Sequence, residues 1–304
     1  MDLFRLARYS GCALLLLLMV SCDVFAILFA PLDPESTLDE IERRVRLRND
    51  TRAVFTYDEY RELMQELAGE HYMVLPMDSF RITFDTTRIV VGMRHDIDCH
   101  PFNALEMADI ENSFGMQSTY YILHSAEYYW TASEGPFVRF AVMDTIYRQL
   151  AEKAGEIGVH NNLIEMMTRY DIEPLSFQLE EIEYYAALDI PIYGSAAHGS
   201  EDVTELGLSN RMIYADFSEY GTFDYRGKTY EYGRYSLGEF GFQYEALAID
   251  YDKFISDSGG RWSISGVNDQ SHDGSLGVAI QALQSFEPGD RVQILTHPVW
   301  WGRE

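Results

Sequence analysis

The chain has 304 residues, with 49 acidic against 23 basic side chains and a formal net charge of -26. A polyanionic partner would be repelled by such a chain, so nucleic acid is excluded as an expected ligand. Hydrophobic residues make up 47% of it, enough for the core of one large domain or two small ones.

The N-terminus, "MDLFRLARYSGCALLLLLMVSCDVFAILFAP", places Arg5 and Arg8 ahead of an apolar run that begins near Gly11. Residues 1–30 therefore read as an export or anchoring segment rather than part of the fold. Two readings of it compete. "LMVSC" resembles a bacterial lipoprotein box, with Cys22 as the lipidated first mature residue. The alternative is a single membrane helix over residues 10–30. That helix would hold Asp23 in the hydrocarbon, at about 2.5–3.5 kcal/mol near the centre of a span, which tilts the choice toward the lipoprotein. Both readings place the remainder of the chain outside the cytoplasm, in the cell envelope and attached to the membrane through this segment. Residues 31–53, polar and charged, read as a linker or short helix. The main domain is expected over residues 54–304. Cys99 stands alone in it, so neither a disulfide framework nor a zinc-type cysteine cluster is expected there.

From residue 54 helical and strand patterns alternate. "YDEYRELMQELAGE" puts Tyr60, Leu63, Met64 and Leu67 on one helical face. "RIVVGMRHD" reads as a buried strand. "NALEMADIENSFG" reads as a helix stopped at Gly115, and "STYYILH" as a strand. The helix "FAVMDTIYRQLAEKAG" precedes the short strand "EIGVHN", and the helix "LSFQLEEIEYYAALD" precedes the strand "PIYGSAAH". A last helix, "DGSLGVAIQALQSF", leads into the strand "DRVQILTH". This alternation predicts an α/β domain with a mainly parallel sheet. Residues 214–251 break it with a run rich in Tyr, Phe and Gly. Within that run "GTFDYRGKTYEYG" predicts a hairpin turning at Arg226–Gly227, its tyrosines either ordinary strand packing or a platform for sugar rings. His272 and Asp273 fall in a Gly/Ser/Asp/Asn stretch and read as turn residues.

Ionisable residues recur at one structural place. Asp96 and Asp98 end the first long strand, His160 ends "EIGVH", His198 ends "YGSAAH" and His297 ends "VQILTH". In parallel α/β folds the carboxyl ends of the strands share one rim, and sites are built there. Side chains two apart on a strand share a face, with Cα atoms roughly 6.5 Å apart. Two carboxylates at that spacing repel, and a divalent cation relieves the repulsion. One carboxylate then binds the metal while the other stays free as a base. Neutral imidazoles from His160 and His198 complete an Asp/His/His set, and three protein ligands with an open position are usual for a hydrolytic zinc site. His297 suits a general acid. His95 points away from Asp96 and reads as buried support, Cys99 as inert, and His100 and Cys99 as neighbours of the rim. His124 ends a strand as well. No G-x-S-x-G elbow, P-loop or G-x-G-x-x-G follows a strand, so a serine esterase and a nucleotide-binding protein are not expected.

"MRHDIDCHPFNALEMADIENSFGMQSTYYI", "EIGVHNN", "AAHGS", "YDKFISDSGGRW" and "LTHPVWW", in this order over some 250 residues, resemble the polysaccharide deacetylase-like branch of the NodB-homology superfamily, which includes the carbohydrate esterase family 4 enzymes. The resemblance implies a distorted (β/α)7 barrel and metal-dependent removal of N- or O-linked acetyl groups from a glycan. The metal expected is zinc, with cobalt or nickel as alternatives, and the expected partner is an acylated polysaccharide. Carried over by motif, Asp96 is the base, Asp98 and His160 are metal ligands and His297 is the acid. "DSGGRW" makes Asp257 a partner for an acid or for Arg94, and Trp262 a wall against the acyl methyl group. In one respect the chain departs from the family. Its enzymes carry a second histidine four residues after the first, where this chain has Ile164. The third ligand then falls to His198, with Asn161, Asn162 or no ligand at all as the alternatives. A degenerate, glycan-binding scaffold on the same fold is the competing function.

Overall fold

The computed structural model describes residues 32–131, 137–265 and 274–302. The expected anchor at residues 1–30, and His272 and Asp273, lie outside the described residues. Nine helices occur among those that are described. They are α1 (Leu38–Asn49), α2 (Tyr57–Leu67), α3 (Met77–Ile82), α4 (Pro101–Ser113), α5 (Asp144–Lys153), α6 (Leu163–Tyr170), α7 (Pro174–Ala187), α8 (Glu201–Glu205) and α9 (Leu276–Gln284). Both α1 and α2 begin with a capping box, Thr37 with Glu40 and Thr56 with Glu59. In each, the side chains satisfy N–H groups that the first turn leaves free.

The main sheet consists of β1 (Tyr72–Leu75), β2 (Ile89–Ile97), β3 (Thr119–Leu123), β4 (Glu156–Asn161), β5 (Ile192–Ala197), β6 (Tyr244–Glu245), β7 (Lys253–Ser256), β8 (Ser263–Ser265) and β9 (Arg291–Thr296). Its order is β6-β5-β4-β3-β2-β9-β7-β8, parallel throughout except for the β7–β8 pair. The nine-residue β2 pairs with β9 along one edge, and its other edge is divided between β1 and β3. The sheet curls into half a barrel. Among the described residues β6 and β8 do not pair, so the α/β expectation holds in this open form.

Strand alternation sorts β2. Val91 and Met93 face the core made with α2, α4 and α9, while Val90 lies in a separate inner cluster with Phe80, Tyr121 and Tyr244. Glycines make room for that inner packing. A Cβ on Gly92 would lie 2.6 Å from the Phe80 ring, and one on Gly158 would lie 2.4 Å from the Tyr121 ring. Arg94 and Asp96 therefore stand on the inner face above Phe80, and His160 on the inner face beyond Gly158.

Two expectations about the periphery meet different outcomes. The hairpin forms as Gly221–Tyr225 against Lys228–Tyr232. Arg226 (φ 50°) and Gly227 (φ 80°) make its turn, the left-handed pair that two-residue hairpins require. Its Phe223 and Tyr230 stack, and both pack against the larger core cluster. The stretch read as a linker contains α1, whose Ile41 and Val45 are buried in that same cluster. The physical reason is the i, i+4 spacing of these two apolar residues, which gives a short helix a face to dock.

Candidate metal centre

Asp98, just past β2, His160 on β4 and His198, just past β5, converge at the carboxyl ends of the strands. One ligand atom from each lies within 4.8 Å of the other two. Asp98 Oδ1 is 3.2 Å from His160 Nε2 and 3.8 Å from His198 Nε2. His160 Nδ1 donates to the carbonyl of Ala196 at 2.9 Å. That bond fixes the tautomer, so Nε2 turns a lone pair toward Asp98. Asp98 Oδ1 is buried without a hydrogen-bond partner among the described residues. Two acceptors in this arrangement need a proton or a cation between them, so the donor set fits a divalent metal with oxygen and nitrogen ligands. Burial opposes a charge on His160, but Asp96 and Asp98 overcome it and raise its pKa. A proton and a metal would thus compete for one position. His198 is already neutral at pH 7, held down to about 4 by burial and by His160.

The other expected positions resolve as follows. Asp96 is buried and its Oδ2 lies 3.7 Å from His160 Nε2. Arg94 Nη2 donates to the same oxygen at 3.3 Å, while Asp96 Oδ1 has no partner among the described residues. His297, at the end of β9, binds Asp257 through Nδ1 at 2.6 Å. Asp257 is fully buried and accepts two more bonds at Oδ2, from the His297 backbone N–H at 3.1 Å and from Trp301 Nε1 at 2.9 Å. Burial works against the His297 imidazolium, but Asp257, with Asp98 and Asp96 behind it, raises its pKa to about 9. Asp257 is therefore the partner of the histidine, and Asp96 is the partner of Arg94.

Trp262, Asn161, Asn162 and Ile164 take structural places. Trp262 is 2% exposed and packs against Phe55 and Trp301 in the core behind Asp257. It directly precedes β8, which folds back antiparallel along β7. Asn161 and Asn162 are used structurally: both amides bond to Asn210, and Asn162 also bonds to Ser125 and Glu165. Ile164 lies on α6 with its side chain fully buried in the larger core cluster, so the position four residues after His160 faces away from the metal centre.

Supporting histidines also have defined work. His95 is stacked 4.2 Å from Tyr120 and bonds Thr296, Ser118 and Glu111 on the outer face of β2. His100 caps α4 through the Asn103 N–H and reaches Asp50 at 2.9 Å. His124 is buried and accepts the Asn162 N–H through Nε2. Burial first, then His160 and His198, hold it down to about 3. Sequence reasoning missed Glu245, a buried acid on β6 that accepts the N–H groups of Ala197 and Leu247 and feels the charge of Arg94. Its only signal was a charge inside an aromatic run.

A cleft of about 350 Å³ opens beside Asp98 and His198. Its lining also includes Leu32 and, from α1, Arg44, Val45, Arg48 and Asn49. Comparison with protein-family models, curated proteins and solved structures finds no match. No helix among the described residues is long and apolar enough to cross a membrane.

Proposed function

We propose that the protein is a metal-dependent hydrolase that removes acetyl groups, N- or O-linked, from a glycan of the cell envelope or its surroundings. On this reading the curled sheet is a distorted (β/α)7 barrel of the NodB-homology type, held at the membrane through residues 1–30. One observation carries the proposal: a three-residue donor set of Asp98, His160 and His198 with a free carboxylate oxygen of Asp96 on one side and the His297–Asp257 pair completing the site.

Zinc, or cobalt or nickel in its place, would be held by Asp98, His160 and His198 and would supply a Lewis acid that polarises the acyl carbonyl. Asp96 takes the proton from the attacking water through Oδ1, while Arg94 holds its Oδ2. His297 is protonated at neutral pH and delivers its Nε2 proton to the departing nitrogen or oxygen. Asp257 fixes the His297 tautomer and stabilises its charge, the role of the third member in a catalytic triad. One proton passes from water to Asp96 and one from His297 to the leaving group, which leaves both side chains neutral; a proton then passes from Asp96 to His297 through solvent to restore the starting pair.

The test is calorimetric titration with zinc, cobalt and nickel, followed by acetate release from N-acetylated and O-acetylated oligosaccharides. Metal binding that His160→Ala abolishes, and acetate release that Asp96→Asn reduces by about 10²–10⁴-fold, support the reading. A protein that binds none of the three metals refutes it. The occupation of the family's second histidine position by Ile164 favours a second reading, a glycan-binding protein without turnover. Glycan binding that survives Asp98→Ala and His160→Ala, with no acetate released by the parent chain, selects that one.

A further inference from the structure

Leu32 lines the same cleft as Asp98 and His198. It is fixed there, since its carbonyl accepts from Thr131 Oγ1 at 2.9 Å and its side chain packs on the larger core cluster. The helix that follows is tied to the metal centre as well: Asn49, at the end of α1, donates through Nδ2 to the carbonyl of Cys99, the residue after Asp98, at 3.3 Å. In the sequence only Pro31 separates Leu32 from Ala30, where the apolar run of the N-terminus ends. An extended residue spans at most about 3.6 Å, so the end of that run lies within about 7 Å of the cleft lining. A bilayer's headgroup layer is about 5–7 Å deep on each face. If Cys22 carries a lipid instead, seven of the eight residues that lead from it to Ala30 are apolar, and they keep to the same membrane face.

The surface beside Leu32 has matching chemistry. Val138 pairs with Thr131 and is 36% exposed. Tyr170, 43% exposed, meets the Trp130 ring edge-on at 4.6 Å. Tyr and Trp settle at membrane–water boundaries. The opposite end of the sheet is marked by Phe84, 72% exposed, over which lies Arg291, the first residue of β9.

We propose that the cleft opens onto the membrane surface and that its substrate is an acylated sugar borne on a lipid of that membrane. This rests on anchoring through residues 1–30 and on the reading of Asp98, His160 and His198 as a deacylating centre. The substrate then reaches the cleft by lateral diffusion, and Val45, Leu123 and Ala126 of the lining suit the apolar faces of its sugar.

The experiment places the zinc-loaded full chain in vesicles of phosphatidylcholine, which has no net charge to repel a chain of -26. Orientation is read with a phosphatidylcholine whose headgroup carries a diazirine: after illumination, mass spectrometry should find crosslinks at Val138 and Tyr170 and none at Phe84. Turnover is read as acetate release from N-acetylglucosaminyl diacylglycerol in the same vesicles, the same lipid in separate vesicles, and soluble N-acetylchitotetraose at equal bulk concentration. The shared membrane should give release about tenfold or more faster than either alternative, because co-residence raises the effective concentration. A helical (EAAAK)4 spacer inserted between Ala30 and Pro31, about 30 Å long, should remove the crosslinks and the shared-membrane advantage while leaving release from the soluble tetrasaccharide unchanged. A chain that does not enter vesicles, crosslinks at Phe84 as strong as those at Val138, or equal release from all three substrates overturns the proposal. Crosslinks at Val138 and Tyr170 with no acetate from any substrate refute the deacylating centre and leave the orientation of the cleft standing.

Discussion

Asp257→Asn isolates the charge on the proposed acid. In the native site His297 is raised from 6.5 to about 9, a preference for imidazolium of roughly 3 kcal/mol at about 1.4 kcal/mol per pKa unit. The amide keeps the shape of the carboxylate and removes its charge. It also cannot accept on both sides, because Asp257 receives His297 Nδ1 at one oxygen and two N–H groups at the other. One end of the amide therefore meets a donor with a donor, at a cost of about 1–3 kcal/mol. The midpoint of His297 should fall by about two units or more. At pH 8 the protonated fraction would then drop from most of the molecules to about a tenth or less, and any turnover that needs it would drop with it. The stability linked to this group has a definite sign. Because the folded value lies above the unfolded one, its contribution is complete below pH 6.5 and is lost as pH rises through about 9. The gap in unfolding free energy between wild type and variant should therefore be largest near pH 6 and narrow by pH 10. The assay is an NMR titration of the imidazole Cε1–H signals, with His297→Ala assigning the resonance, beside denaturant unfolding at the two pH values. Zinc should lower the native midpoint, since a dication at Asp98 repels the imidazolium. A wild-type midpoint below 7, or a variant midpoint that does not move, refutes the account of the pair.

Zinc affinity should fall as pH drops through the His160 titration, because the proton competes for Nε2; a titration series from pH 8 to 5 that shows no change contradicts the ligand set. His198→Ala should weaken zinc by more than the roughly 10–100-fold typical of outer-sphere changes, and adding Ile164→His should not recover it. That second change instead puts an imidazole in the core, lowering stability by about 1–3 kcal/mol in denaturant melts; recovered zinc binding would show that position 164 can reach the metal. Ile41→Ala should cost about 2–5 kcal/mol, whereas a loss under about 0.5 kcal/mol, the range of ordinary surface changes, would mean that α1 is not docked. Cys99, pushed up to about 12 by burial and Asp98, should resist iodoacetamide at pH 8 in the folded chain and react once unfolded.

The site was legible in outline because strand ends announce themselves. An apolar run followed by Asp or His is visible in one dimension, and parallel strands bring such ends to one rim. A further sign went unread. Gly92, Gly158 and Gly194 each precede a site residue by two or four positions, on the inner face, where Phe80, Tyr121 and Tyr244 need their space. A motif gives neighbourhood and not direction, and the Trp262 ring lies in the core. The role of α1 was hidden by composition: arginines and glutamates surround Ile41 and Val45, so the docking face is two residues wide. Glu245 lies far in sequence from the segments it serves, and nothing local marks it.

Because α1 lines the cleft while the ends of β2, β4 and β5 carry Asp98, His160 and His198, the two halves of the site have separate genetic addresses. A chain that begins at residue 54 retains Asp98, His160 and His198 yet lacks Leu32, Arg44 and Arg48. The cluster and the cleft wall can consequently drift apart under selection, the first tied to the strand ends of the curled sheet, the second to a dozen residues that lie outside that sheet.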